Sequence, residues 1–256
     1  MSDKPVTACL LIIGNEILSG RTKDANLPWL AEQLNAIGVR LMEARVIPDV
    51  EPVIVRTVNE VRTIFDYVFT TGGIGPTHDD ITAECIAKAF GVKLIQHPEA
   101  LARLKAHYAN PADLNAMRLR MANIPEGATL IDNPVSRAPG FQVGNLFVMA
   151  GVPQIMQAMF DGVKHRLKGG APMLSRTVRA ALPEGALAEG LASLQGQYAE
   201  LEIGSYPSFR MGALPSVAIV LRGTDAHRIA EAVEALKALM RHLGAEPVEE
   251  GDQGTS

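Results

Sequence analysis

The sequence is poor in thiols. Cys9 and Cys85 are its only cysteines, and they form no Cys-x-x-Cys pair. A dithiol redox motif is therefore excluded, and both are expected to be small buried hydrophobes in a reducing compartment. Positive charge is also short. The chain carries 24 Lys and Arg against 28 Asp and Glu, so it lacks the basic surplus that non-specific nucleic-acid binding requires. No nucleic-acid partner is expected. Long apolar runs are missing too. The run near the N-terminus, ACLLII, is too short for a signal peptide or a membrane span, and no basic region precedes it. A cytoplasmic protein with no membrane partner is the expectation. There is no Gly-x-Ser-x-Gly elbow, no Walker A loop and no dinucleotide fingerprint in the first βα turn. His97, His107, His165, His227 and His242 lie on helix-like segments without metal-ligand spacing. Trp29, the single tryptophan, follows Pro28 in the first turn of a helix pattern and is expected to pack rather than to stack on a base.

What is present is ordinary globular material. Of 256 residues 47% are apolar, enough for a sizeable core in one large domain or two unequal ones. TACLLIIG is a short apolar run ending in glycine, the pattern of a strand buried on both faces. DANLPWLAEQLNAIG puts Leu27, Leu30, Leu34 and Ile37 on one helical face, with Gly38 as its stop. VRLMEARVIP, EPVIVRTVNEVRTIF and DYVFTTGG then read as strand, helix and strand. That alternation implies an α/β domain with a mostly parallel sheet and right-handed crossovers. FQVGNLFVMAG reads as a hairpin turning at Gly144-Asn145, and Pro153 opens the following helix. Near KGGAPM the pattern changes to β-α-β-β-α, a small α+β module. The expected domains are 1–170 and 171–245, followed by a disordered polar tail over 246–256.

Ligands of open α/β sheets bind beyond the carboxyl ends of the strands. Three segments fall there: GNEILSG (Gly14 to Gly20), TTGGIGPTHDD (Thr70 to Asp80) and MAGVPQ (Met149 to Gln154). Glycines let a ligand approach the backbone, and a following helix N-terminus favours phosphate. Asp79 and Asp80 would repel an anion unless a cation intervenes. One of them can cap the next helix; the second is then free to hold Mg²⁺ or to orient a nucleophile. Glu16 and Asp24 flank the first glycine loop, where either can face the pocket or Asp24 can cap its helix. His78 is either an exposed loop residue or a base.

TTGGIGPTHDDIT resembles the signature of the molybdopterin-binding domain of molybdenum-cofactor biosynthesis proteins. The Pro-Thr-x-Asp-Asp form is most similar to the CinA-type, competence/damage-inducible branch. IGNEILSGRTKDANLPWLAEQL, VIPDV, NPVSRAPGF and AGVPQIM continue the likeness over about residues 6–168. The resemblance implies a three-layer α/β/α fold binding a pterin or a nucleotide phosphate, with metal-dependent chemistry at phosphoanhydride bonds. It implies a catalytic role for Asp80, Asp79 and Asp49, with Asp80 and Asp79 holding a divalent metal (Mg²⁺ or Co²⁺). Gly72, Gly73 and Gly75 match the phosphate cradle, with Thr71 and Thr77 as hydroxyl donors. Gly14, Glu16, Gly20 and Gly151 match further positions of the ligand site. Molybdopterin is an implied ligand, and a homo-oligomer, dimer or trimer, is implied as well.

Three departures bear on activity. Ser136-Arg137 stands where CinA-type chains carry Gly-Thr, and Arg137 either clamps a phosphate or lies on the surface. Ala150 and Ile155 replace a proline and a glutamate. No room remains after residue 170 for the amidohydrolase domain of full-length CinA proteins, so nicotinamide-mononucleotide deamidation is not carried over. Hydrolysis of a nucleotide pyrophosphate such as ADP-ribose or FAD is the leading expectation. Adenylyl or metal transfer to molybdopterin, and non-catalytic regulatory binding, are the alternatives.

Overall fold

The structure, a computed structural model, describes residues 5–108, 110, 113–208 and 215–250. Ala109, Pro111 and Ala112, at the edges of two expected helical stretches, and tail residues 251–256 lie outside it. The chain divides into two compact units, Met1–Gly170 and Ala171–Ser256.

The first unit begins with β1 (Val6–Ile13), the short α1 (Asn15–Leu18), α2 (Asn26–Ala36), β2 (Val39–Ile47), α3 (Glu51–Ile64) and β3 (Tyr67–Thr71). It continues through α4 (Thr82–Phe90), β4 (Leu94–Gln96), α5 (Pro98–His107), α6 (Ala116–Leu119), β5 (Asn123–Pro125) and β6 (Thr129–Ile131). β7 (Gly140–Val143), β8 (Leu146–Met149) and α7 (Pro153–Val163) complete it. Among the described residues one six-stranded sheet runs in the order β2-β1-β3-β8-β7-β6. β1 pairs in parallel with β2 and β3, and β3 with β8. The β7–β8 hairpin, turning at Gly144 with φ +56°, makes the far edge antiparallel.

The apolar runs of β1 and β3 are buried on both faces, as continuous rather than alternating patterns require. Leu11, Ile13 and Val68 pack with Ile54, Val58 and Ile86 of α3 and α4. Leu10, Ile12 and Phe69 pack with Leu30, Leu34, Met156 and Phe160 of α2 and α7. Each such side chain contributes about 1.5–3 kcal/mol on burial. Trp29 packs edge-on against Phe160 at 5.6 Å. The two-stranded β4–β5 ladder joins segments far apart in sequence, and neither has a strand pattern of its own.

The second unit contains β9 (Leu174–Ala180), α8 (Glu184–Gln197), β10 (Glu202–Ser208), β11 (Ser216–Gly223), α9 (Ala226–His242) and β12 (Val248–Glu250). Its antiparallel sheet runs β10-β11-β9-β12. The α9 stripe of Ile229, Val233, Leu236 and Met240 is buried on its own sheet against Val178, Ile219 and Leu221. The disordered tail expected from residue 246 is corrected over Val248–Glu250, which pair with β9. Ion pairs draw in this charged segment: Glu249 with Lys237 at 2.7 Å and with Arg176, and Glu250 with Arg179 at 2.7 Å.

Candidate functional site

The chain adds β2 on one side of β1 and β3 on the other, so the order of strand addition reverses at β1, and the carboxyl ends of the parallel strands β1 and β3 lie side by side. Gly14 follows β1 and Gly72 follows β3. The Asn15 N–H donates to Asp49 Oδ2 at 2.9 Å, which ties the acidic residue after β2 to the first glycine loop. Burial first, and then the charges of Glu16 and Asp79, hold the Asp49 carboxyl above the usual aspartate range. Glu16 folds back so tightly that a Cβ on Gly14 would lie 2.5 Å from its Oε1.

Gly72 has φ +101°, and a Cβ there would stand 2.1 Å from the Ile13 carbonyl oxygen. Its N–H donates to Met149 O at 3.2 Å and so belongs to the sheet. The next three differ. Among the described residues the N–H groups of Gly73, Ile74 and Gly75 have no protein acceptor. Thr77 then gathers the carboxylates. Its N–H donates to Asp80 Oδ2 at 2.7 Å, and its Oγ1 lies 2.6 Å from that oxygen and 2.5 Å from Asp79 Oδ1. The Thr77 hydroxyl, first, and the backbone hold the Asp79 carboxyl below its usual range. Asp80 Oδ2 rests against Gly75, where a Cβ would come within 2.7 Å of it. His78 is an exposed loop residue, its side chain 92% accessible.

Neither aspartate caps α4, which corrects that expectation. The residue before the helix is Ile81, without a side-chain cap. The Thr82 N–H and hydroxyl donate instead to the carbonyls of Gly73 and Gly72, at 3.0 and 3.2 Å. The glycine loop thus docks on the start of α4 and leaves both carboxylates free of helix duty. Asp24 does cap: its Oδ2 accepts the Leu27 N–H at 2.8 Å.

A cleft of about 640 Å³ opens beside this loop. It brings together Glu16, Gly72, Gly73, Gly75, Asp80, Ser136 and Gly151. Thr71 lies deeper, on a separate small chamber. Gly14, Asp49, Thr77 and Asp79 adjoin the cleft but do not line it. Two expectations are corrected. Gly20, at φ +72° with open space around it, closes the turn after α1 through its N–H to Ile17 O and lines neither the cleft nor the small chamber. Arg137 is carried away by a turn that its N–H closes on Asn133 O at 3.0 Å. It lines a different depression, with Arg103 and His107.

Sequence reasoning missed Tyr108, Arg118, Met121 and Asn133, all in the cleft wall. The Arg118 guanidinium sits 4.9 Å over the Tyr108 ring. Asn133 is 1% exposed and holds the loop before β7, donating to Ser136 Oγ at 2.6 Å and Ala138 O at 2.8 Å. Its Asn-Pro dipeptide was the available signal.

Residues 9–169 match the family model of the probable molybdopterin binding domain. The chain belongs to this family. Residues 172–248 match the FAD synthase middle domain rather than an amidohydrolase domain. A protein of Archaeoglobus fulgidus is 32% identical over 90% of this chain and 96% of its own length. The CinA-like protein of Salinibacter ruber is 33% identical over 96% of this chain, which spans 62% of that protein. The crystal structure of CinA from Thermoplasma acidophilum is 35% identical, with a TM-score of 0.60 over 63% of this chain and 98% of that one. The molybdopterin-binding domain is therefore of the CinA-like branch. Within it, Ala150 and Ile155 both line the cleft. Two of the positions at which this chain is expected to depart from the CinA-type pattern are thus on the cleft wall. No helix among the described residues is long and apolar enough to cross a membrane.

Proposed function

We propose that this protein holds a nucleotide or pterin phosphate on the N–H groups of Gly73, Ile74 and Gly75 and hydrolyses a nucleotide pyrophosphate with a divalent metal. The observation that carries the reading is the row of three unpartnered N–H groups beyond β3, with the Asp80 carboxylate lying against the last of them. Such a row is an anion cradle, and the adjacent carboxylates need a cation before a phosphate can settle.

The oxygen set fits Mg²⁺. Two carboxylate oxygens crowd one Thr77 hydroxyl, at 2.5 and 2.6 Å, and a single hydroxyl proton cannot serve both. Among the described residues no group of three or more His, Cys, Asp or Glu is placed to hold a metal. Mg²⁺ commonly takes one or two carboxylates and completes its shell with water and phosphate oxygens, which matches Asp79 and Asp80. When bound, the metal neutralises charge developing on the phosphates and activates water. The chain's own groups do the rest. The loop N–H groups fix the phosphate, Asp80 is pinned by Thr77, and the Asp49 carboxyl is tuned to take a proton more readily than an ordinary aspartate. The match of residues 172–248 to the FAD synthase middle domain supports FAD beside ADP-ribose as a candidate substrate.

Product analysis with ADP-ribose, FAD and a control mononucleotide, with Mg²⁺, Co²⁺ or chelator, tests this. Metal-dependent release of AMP is expected, and Asp80→Asn abolishes it with folding nearly intact. An unchanged rate in that variant removes Asp80 from the assignment. Ile155 favours a second reading, non-catalytic binding of a pterin or nucleotide. On that reading ligand raises the melting temperature without turnover, with or without metal.

A further inference from the structure

Beside the phosphate loop, under the contact of Gly72 with Gly151, lies a chamber of about 60 Å³ lined by Glu16, Thr22, Asn26, Thr71 and these two glycines. Two buried side-chain oxygens on its lining residues have no hydrogen-bond partner. Asn26 is 4% exposed; its Nδ2 donates to Gly151 O at 2.8 Å, and its Oδ1 is unpartnered. Thr71 is 1% exposed and its Oγ1 is unpartnered. Strand alternation puts Thr71 with Phe69 on the α2 and α7 face, where Asn26 begins α2. Burying such atoms without partners is costly, and the two residues that carry them line one cavity.

The donor and acceptor balance of the chamber restricts its guest. Asn26 offers an acceptor, its unpartnered Oδ1, while one N–H of its amide is engaged by Gly151 O. Glu16 is a carboxylate and accepts only. Asp24 also borders the space, with one oxygen already engaged by Leu27. The hydroxyls of Thr71 and Thr22 can give or take. Two carboxylates against Lys23 disfavour an anion. A single water needs about 10–15 Å³, so the chamber takes a pair of hydroxyls with their carbons and excludes an aromatic ring. We propose that this chamber is a sugar-diol subsite, in which Asn26 Oδ1 and the Glu16 carboxylate accept the two hydroxyl protons and the Thr71 hydroxyl donates to a diol oxygen. Carboxylate recognition of ribose hydroxyls is established chemistry in dinucleotide sites. Gly72, which lines both the chamber and the cleft, places the diol next to the phosphate loop, as the connectivity of a nucleotide demands. The inference rests on the phosphate reading above and deepens it: the ligand is a ribosyl phosphate, and Thr71 serves the sugar rather than the phosphate.

Calorimetric titration with AMP, 2′,3′-dideoxy-AMP and inorganic pyrophosphate tests it, on the parent, Thr71→Val and Thr70→Val. Thr70 is also buried with an unpartnered hydroxyl, but it lies with Val68 on the other face and does not line the chamber. It is the control. Both variants keep shape and remove an unpartnered hydroxyl, so both are expected to melt no lower than the parent. The parent should prefer AMP to the dideoxy compound at least about tenfold, since more than one net hydrogen bond is lost with the two hydroxyls. Thr71→Val removes one of these contacts and leaves the Asn26 and Glu16 acceptors, so it should cut that preference several-fold and leave pyrophosphate affinity alone, and Thr70→Val should keep the parent's preference in full. Equal affinity for AMP and the dideoxy compound in the parent, or a preference undiminished in Thr71→Val, would mean a chamber for ordered water only. Those results overturn the subsite while pyrophosphate binding leaves the phosphate reading standing. Binding of neither AMP nor pyrophosphate overturns both.

Discussion

Alanine at Gly72 would strike the joint on which both the phosphate loop and the chamber depend. The backbone there has φ +101°, and a Cβ would sit 2.1 Å from the carbonyl oxygen of Ile13. A left-handed conformation costs a residue with a Cβ about 1–2 kcal/mol. The clash adds more, because its partner is backbone in the centre of the sheet and cannot swing away. Relief means separating β3 from β1, which strains the Gly72 N–H bond to Met149 O at 3.2 Å and the nearby Gly14 N–H bond to Ile47 O at 3.1 Å. Each is worth about 1 kcal/mol net. The expected loss is at least about 3–4 kcal/mol, a large part of the roughly 5–15 kcal/mol of a typical domain. Gly20→Ala is the matched control. It also has positive φ, at +72°, but nothing lies within 4 Å of the added carbon, so about 1–2 kcal/mol is expected. Urea unfolding followed by Trp29 fluorescence reads the first unit alone, since that ring packs on Phe160. With a slope of about 1–3 kcal/mol per molar, the Gly72→Ala midpoint should fall at least twice as far as that of Gly20→Ala. Equal losses would refute the close approach of β3 to β1 and with it the geometry of the site.

Further outcomes follow from the charges. In Asp49 the folded carboxyl binds its proton more tightly than the unfolded one. Ionised Asp49 therefore costs stability, and the cost grows as pH rises from the unfolded value through the folded one. Asp49→Asn should melt higher than the parent at pH 7, with the gap closing below about pH 4; a gap independent of pH would contradict this. Gly75→Ala should push Asp80 Oδ2 off its seat, since the new carbon would lie 2.7 Å away. A thermal melt should change little, because the carboxylate can rotate, while any metal-dependent turnover is lost. Glu249→Gln weakens the pairs with Lys237 and Arg176 that dock β12. Lysine proximity, first, holds the Glu249 carboxyl low, so its contribution is present at neutral pH and is lost as pH falls through that lowered value. A loss of up to about 1 kcal/mol in the second unit, shrinking in high salt, is expected for these half-exposed pairs.

The sequence by itself determined the order of the main strands and helices of both units, β4, β5 and β12 excepted, because burial on two faces and a 3.6-residue stripe leave patterns that neighbours in the chain display together. It also determined the branch of the family, since TTGGIGPTHDDIT and its companion segments are local. It expected Trp29 to pack, as it does against Phe160, and it put the aspartates in the loop that follows β3. Only the tertiary structure decided what those aspartates do. Helix capping and carboxylate pairing are equally compatible with Asp79-Asp80 as text. The choice was made by Gly73 O and Gly72 O, which took the Thr82 donors and left the acids to Thr77. The same holds for Arg137, turned away by one backbone bond, and for Tyr108, Arg118 and Asn133, brought to the cleft from remote segments. It holds for the tail, whose polar composition reads as disorder until Arg176, Arg179 and Lys237 gather around it. Local patterns fix which segments are strands and helices, whereas the partner of a polar group is set by whatever the fold brings within 3 Å.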